Sequence, residues 1–292
     1  MIDTYLRPCR IGSEVPGLAE QVRAALAEDI GRGDVTTRLT VAEETRAGAL
    51  LIQKSAGVLA GAPVFEAVFA LLDGGVDIAW LAEEGSAGGR REVARLSGNA
   101  RTLLTGERTA LNYLQRLSGI ATLAARAVEI AAPYEVTILD TRKTTPGLRL
   151  VEKYATRIGG ARNHRMGLDD GILIKDNHIA AAGGITAAIE AARSGSPPAM
   201  LVEIEITDYD ELEEALAGGA DMILLDNWDP VDVRRAVEIC DEADVWTELS
   251  GGITLETLGQ YVAARPDFIS LGALTHSATA LDFSLEFTLE TV

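Results

Sequence analysis

Cysteine, lysine, histidine and aromatic residues are all scarce in this chain of 292 residues. Each scarcity narrows what the protein can be. Two cysteines, Cys9 and Cys240, cannot build a disulfide framework, and they are not clustered as zinc ligands are. They fit a reduced, cytoplasmic protein. Aromatic residues make up 5% of the chain, so the core has to come mainly from Ala, Val, Leu and Ile, within an overall hydrophobic content of 47%. That is enough for one large core or two smaller ones. No apolar run approaches the roughly twenty residues of a membrane-spanning helix. The most apolar stretch, Leu59 to Leu72, is interrupted by Pro63 and Glu66. The N-terminal stretch lacks the basic start and apolar centre of a secretion signal.

Lysine occurs only at Lys54, Lys143, Lys153 and Lys175, and the formal net charge is −18. Such acidity argues against nucleic acid as a partner, because phosphate is repelled. An acidic, lysine-poor composition is expected of a protein working in high salt, and ordinary acidic proteins share it. Against this background, cations gather between Asp140 and Lys175: Arg142, Lys143, Arg149, Lys153, Arg157, Arg162, Arg165 and Lys175. The plain reading of such a run is a solvated basic face. The loops around these residues favour an anion site instead.

The first third reads as mixed α and β. Apolar spacing predicts a helix from Pro16 to Asp29, then a glycine-broken loop with Asp34 as a helix cap. Strands are expected at Ala49–Gln53, Gly57–Ala60, Val76–Leu81 and Glu92–Leu96. A helix is expected over Ala62–Leu72, and a long one over Asn99–Ala132 with a break near Ser118-Gly119.

From residue 136 short apolar runs alternate with helical patterns. The runs end at Asp140, Lys175, Glu205, Asp226, Ser250 and Gly272. Strand-then-helix repetition demands a parallel sheet. When such units curl into a barrel, chemistry gathers at the carboxyl ends of the strands. Six strands are readable, so an open or incomplete barrel is expected, with a doubly wound sheet as the structural alternative. The tail from Leu281 to Thr288 alternates apolar and polar, as a strand returning to the first domain does. The resulting division is residues 1–115 for an N-terminal α/β domain, carrying the strand of 280–292, and 116–279 for the barrel.

Ser250-Gly251-Gly252 and Gly272-Ala273-Leu274 follow the last two runs, where barrel enzymes often hold a phosphate and where glycine lets the backbone approach it. Asp140-Thr-Arg-Lys-Thr-Thr-Pro-Gly-Leu-Arg places Arg142 and Lys143 straight after a strand. Arginine's planar fork suits a carboxylate or phosphate, and lysine adds a compact charge. Asn163-His-Arg-Met-Gly and Lys175-Asp-Asn-His each add a cation and an imidazole. All three histidines, His164, His178 and His276, lie in these loops. Glu205 and Asp226 are acceptors for ribose hydroxyls or for Mg²⁺, directly or through water; as partners of nearby cations they need no ligand at all. Residue chemistry alone gives an enzyme for a small molecule bearing phosphate and carboxylate groups.

At these residues the chain resembles the quinolinate phosphoribosyltransferase family. The likeness runs through Leu26-Ala-Glu-Asp-Ile-Gly-Arg-Gly-Asp-Val-Thr-Thr, Gly106-Glu-Arg-Thr-Ala-Leu-Asn, Leu117-Ser-Gly-Ile-Ala-Thr, the Asp140 and Asn163 stretches, Lys175-Asp-Asn-His, Leu224-Leu-Asp-Asn and Ser250-Gly-Gly-Ile-Thr. The resemblance implies an N-terminal α/β sandwich followed by an incomplete parallel α/β barrel. It implies a pentosyltransferase reaction in NAD biosynthesis: phosphoribose passes from phosphoribosyl pyrophosphate to quinolinate, which is decarboxylated to nicotinate mononucleotide. Mg²⁺ accompanies the pyrophosphate, and the active site is shared in a homodimer or higher assembly.

By the same resemblance, Arg108 comes from the neighbouring subunit. Arg142, His164, Arg165 and Lys175 hold the quinolinate carboxylates. Lys143, Glu205 and Asp226 lie near the ribose and pyrophosphate, and the two glycine loops cradle the 5′-phosphate. A related phosphoribosyltransferase with another acceptor, or a non-catalytic phosphosugar-binding protein, are the alternatives. The first would lack need for a cation set suited to two carboxylates; the second would not turn over.

Overall fold

The computed structural model describes residues 17–72 and 75–289. Cys9, Pro16 and residues 290–292 of the expected tail strand lie outside the described residues. The chain begins with helices α1 (Leu18–Ile30) and α2 (Val35–Thr40), then strands β1 (Arg46–Gln53) and β2 (Gly57–Val58). Helix α3 (Ala62–Leu71), strands β3 (Val76–Trp80), β4 (Ala87–Gly88) and β5 (Arg91–Asn99) and the long helix α4 (Ala100–Ala131) follow. Next come β6 (Thr137–Leu139), α5 (Arg149–Ile158), β7 (Ile172–Ile174), α6 (Asp176–Ala182), α7 (Ile185–Gly195), β8 (Val202–Ile206) and α8 (Tyr209–Ala217). The chain continues through β9 (Met222–Asp226), α9 (Pro230–Glu242), β10 (Trp246–Ser250), α10 (Leu255–Val262), β11 (Phe268–Ser270), α11 (Ala273–His276) and β12 (Phe283–Leu289).

Two compact units emerge. One holds residues 17–72, 75–125, 145–160 and 277–289; the other holds Arg126–Thr144 and Ala161–His276. The sequence predicts the division at 115/116, whereas the grouping falls at Ala125/Arg126 and assigns Thr145–Gly160 to the first unit. The physical reason is that α4 is one unbroken rod, which offers no linker at which to cut.

The first unit carries an antiparallel sheet in the order β12-β1-β5-β3. The tail strand pairs with β1, Ala49 opposite Phe287 and Leu51 opposite Leu285. Leu18, Val22 and Leu26, four residues apart, put one face of α1 into the core, which also takes Phe65 and Phe69 of α3 and Leu103, Leu111 and Leu114 of α4. Asp34 caps α2 as predicted, its Oδ1 accepting from Thr37 N at 2.9 Å. The predicted break at Ser118-Gly119 does not occur. Ser118 Oγ accepts from Ala60 N and donates to Ala60 O, and a Cβ on Gly119 would overlap Thr279 O. The small residues permit close approach to the helix rather than ending it.

The second unit is built on a parallel sheet in the order β6-β11-β10-β9-β8-β7. Each of the six strands contains most of an apolar run read from the sequence. The sheet is open: β6 and β7 are its edges, with no pairing between them among the described residues. The expected helix from Ile179 to Arg193 is divided into α6 and α7 at Gly183 and Gly184, whose φ values are 93° and 142°.

Candidate active site

Because the six strands are parallel, their carboxyl ends lie along one edge of the sheet. Read in sheet order, that edge carries Arg142 and Lys143 beyond β6 and Gly272, Ala273 and Leu274 beyond β11. It continues with Ser250 ending β10, Gly251 and Gly252 beyond it, Asp226 ending β9, Glu205 in β8 and Lys175 beyond β7. All belong to the second unit.

Local contacts join neighbours in this row. A Cβ on Gly272 would meet Lys143 Cδ at 2.9 Å and His276 Nε2 at 3.1 Å, so both side chains lie over that glycine. Thr275 Oγ1 donates to Lys143 O at 2.9 Å and ties the loop beyond β6 to α11. Ser250 sits in register with Asp226. Gly251 and Gly252 have φ values of 93° and 61°, the left-handed region that glycine adopts without strain. Asn227 Nδ2 donates to Asp226 Oδ2 at 2.7 Å. Lys175 Nζ donates to Glu205 Oε2 as an ion pair, with the lysine side chain 42% and the glutamate 14% exposed.

The Asn163-His164-Arg165 segment reaches this edge from the side. Arg162 bridges Leu139 at the end of β6. Asp140 is fully buried and accepts from Asn163 Nδ2 at 2.6 Å and from His164 N at 2.9 Å. The strand-end acid expected to face ligand therefore anchors the segment instead. Arg165 is 7% exposed, and its Nη1 donates to Gly171 O at 2.9 Å.

His164 is equally enclosed. Its Nδ1 accepts from Arg165 N at 2.8 Å, and its Nε2 lies 3.3 Å from Glu203 Oε2 and 3.4 Å from Glu248 Oε2. Both ring nitrogens thus face protein groups. Burial opposes a charge on the ring, but Coulombic attraction by Glu248 and Glu203 outweighs it and raises the pKa to about 10.

His164, Glu203 and Glu248 converge closely enough to suggest a metal site. A proton on Nε2, between the two carboxylates, meets their charge without a metal. Mg²⁺ in any case takes oxygen ligands and keeps several waters. The half-buried carboxylates of Glu205 and Asp226 fit that requirement; a buried imidazole cluster does not.

Two further placements refine the sequence picture. Arg108 is exposed on α4, in the first unit. Lys153, counted among the clustered cations, is fully buried in α5 of the first unit, so it is not one of the row. Glu203 and Glu248 were missed because each lies inside a strand rather than at its carboxyl end. The available signal was the Val-Glu-Ile-Glu-Ile pattern of β8: a charge inside a strand buried on both faces has to have a partner.

Comparison with known proteins identifies the family. A family model for the N-terminal domain of quinolinate phosphoribosyl transferase matches residues 34–118, and one for the C-terminal domain matches 120–286. The chain is 47% identical over 263 residues to a Bacillus subtilis protein named as a probable nicotinate-nucleotide pyrophosphorylase (carboxylating), covering 90% of each. It is 45% identical to the human nicotinate-nucleotide pyrophosphorylase (carboxylating), covering 82% of this chain and 81% of that one. The solved nicotinate-nucleotide pyrophosphorylase from Francisella tularensis superposes with a TM-score of 0.89 at 40% identity, covering 94% of this chain and 98% of the other. Both domain models match in their proper order, and the likeness in sequence and in fold extends over most of each relative's length, so the chain belongs to the quinolinate phosphoribosyl transferase family.

Proposed function

We propose that the protein transfers phosphoribose from phosphoribosyl pyrophosphate to the ring nitrogen of quinolinate, with loss of carbon dioxide. The products are nicotinate mononucleotide and pyrophosphate. The observation that carries this reading is the row at the carboxyl edge of the sheet: glycine loops beyond β10 and β11, carboxylates at β9 and β8, and cations beyond β6 and β7. In that order the glycine loops suit a 5′-phosphate and the central carboxylates a ribose, and the cations at the two ends meet one acidic ring when the sheet curls as an incomplete barrel.

In this reading Ser250-Gly251-Gly252 and Gly272-Ala273-Leu274 seat the 5′-phosphate. Arg142, Arg165 and Lys175 hold the quinolinate carboxylates. His164, with both nitrogens engaged, fixes the Arg165 backbone rather than touching the ring. As pyrophosphate departs, positive character grows on the ribose, and the carboxylates of Glu205 and Asp226 offset it. Lys143 stabilises the leaving group. Mg²⁺, when bound to phosphoribosyl pyrophosphate, neutralises charge on the pyrophosphate, and Glu205 and Asp226 are the residues to hold it, directly or through water.

Holding both substrates in line lowers the entropic part of the barrier. The new bond to the ring nitrogen makes that nitrogen cationic. It then accepts the electron pair released when the neighbouring carboxylate leaves as carbon dioxide, and the ring carbon takes a proton.

The exposed Arg108 is assigned to a second copy's site in a homodimer or higher assembly, and the protein is assigned to the cytoplasm. No helix among the described residues is long and apolar enough to cross a membrane. The direct test is release of labelled carbon dioxide from carboxyl-labelled quinolinate, with phosphoribosyl pyrophosphate and Mg²⁺. Release that requires all three supports the reading. No release, or equal turnover of nicotinate as acceptor, overturns it.

A further inference from the structure

Four non-glycine residues among those described have a left-handed backbone: Glu135, Asn227, Asp244 and Arg265. Three of them close a helical turn. Glu135 N donates to Ala132 O, Asp244 N to Asp241 O and Arg265 N to Val262 O, each just before a strand begins. Left-handed residues are ordinary at such helix ends. Asn227 is different. It follows the last residue of β9, at the carboxyl edge, with φ 58° and no helix to terminate.

Its contacts are specific. The backbone N–H of Asn227 donates to Ser250 O at 3.0 Å, extending the β9–β10 ladder by one bond. Its Nδ2 donates to Asp226 Oδ2 at 2.7 Å, which holds that oxygen and leaves the other for a ligand. Its Oδ1 lies beneath Gly251, where a Cβ would overlap it and would stand 2.7 Å from Asn227 N. One exposed residue therefore touches both the acid that ends β9 and the glycine turn that follows β10. Asparagine tolerates a left-handed backbone, and its amide alone among such tolerant side chains donates a hydrogen bond to a neighbouring carboxylate without carrying charge.

We propose that Asn227 is a positioning residue for the phosphoribosyl half of the site: it orients the Asp226 carboxylate and sets how closely the Gly251 turn approaches it. The separation of ribose from 5′-phosphate is fixed by the ligand, so the protein has to match it between these two loops. This inference rests on the proposed function and adds a role that the resemblance did not assign.

The test uses Asn227→Gly and Asn227→Asp, both compatible with a positive φ. Glycine keeps the backbone conformation and the ladder bond but removes the amide. Aspartate keeps the shape but sets a second negative charge against Asp226. Steady-state rates are measured with each substrate varied in turn, together with thermal unfolding. A misplaced reacting group costs on the order of 100-fold in rate. The glycine variant is therefore expected to unfold at the wild-type temperature, with kcat reduced about 10- to 100-fold and KM raised for phosphoribosyl pyrophosphate but not for quinolinate. The aspartate variant is expected to be at least as impaired.

A glycine variant with wild-type constants would make Asn227 a mere turn residue and overturn the proposal. Equal weakening of both substrates would overturn it too. Should one variant unfold early, the other still decides, since aspartate preserves the side-chain volume that glycine removes. An inactive wild-type protein would instead defeat the proposed function. In that case calorimetric titration with ribose 5-phosphate tests the inference by itself: weaker binding by the glycine variant supports it, and unchanged binding refutes it.

Discussion

Replacing Arg165 by alanine separates the two substrates. The residue is 7% exposed, and one nitrogen of its guanidinium already donates to Gly171 O. That bond fixes the plane of the fork, whose geometry suits a carboxylate. Truncation removes one partner of an enclosed charge pair, which costs about 2–5 kcal/mol. At 1.4 kcal/mol per factor of ten, quinolinate binding should weaken by about 30-fold to a few thousand-fold.

The backbone N–H of Arg165 survives the change and still donates to His164 Nδ1, so the segment keeps its anchor. Gly171 O loses a donor, an effect on stability of roughly 1–3 kcal/mol. Thermal unfolding measures this structural part separately. Initial rates with each substrate varied, and calorimetric titration with quinolinate, measure the rest. Lysine at this position restores charge but not the fork, so Arg165→Lys should fall between alanine and wild type. Equal weakening of quinolinate and phosphoribosyl pyrophosphate would refute the assignment of Arg165 to the acid-binding half.

Three other outcomes are expected. The His164 pKa is raised from 6.5 to about 10, so its stabilisation is complete below pH 6.5 and is lost as pH climbs toward 10; unfolding temperatures should fall across that window, and Glu248→Gln should flatten the fall, whereas parallel curves would count against the pairing. Gly119→Ala would ordinarily strengthen a helix by about 1 kcal/mol, but the added Cβ overlaps Thr279 O, so the variant should unfold at lower temperature than wild type, and a gain in stability would disprove the close approach. Salt screens repulsion in a chain of net charge −18, so the unfolding temperature should rise between low and molar potassium chloride; an unchanged midpoint would remove the case for a protein suited to brine.

Much of the second unit was legible because buried parallel strands leave a plain trace: short β-branched runs, each stopped by a polar or glycine residue. The helix Tyr209–Ala217 begins after Asp208, whose side chain accepts from Glu211 N, so cap and apolar spacing agree. Helix α5 was not legible. Arg149, Glu152, Lys153 and Arg157 read as a solvated charged stretch, yet Glu152 and Lys153 are fully buried. Glu152 accepts from the Arg116 guanidinium and from both the N–H and hydroxyl of Thr145, a set of partners that no local pattern announces.

The site was legible as a list of strand ends but not as a geometry. Spacing could not tell that Asp140 would turn inward or that Lys175 would meet Glu205, because both depend on which strands become neighbours. Asn227 was visible within a motif, and only its backbone conformation gave it a task.

The row of candidate residues draws on the ends of all six strands, and in a pleated strand a slip of one residue turns each side chain to the opposite face. No fragment of the sheet can therefore display a partial version of the site. Turnover would therefore be lost with the pairing of the whole sheet, so residual activity under heat or denaturant should follow the sheet's unfolding rather than decline in steps.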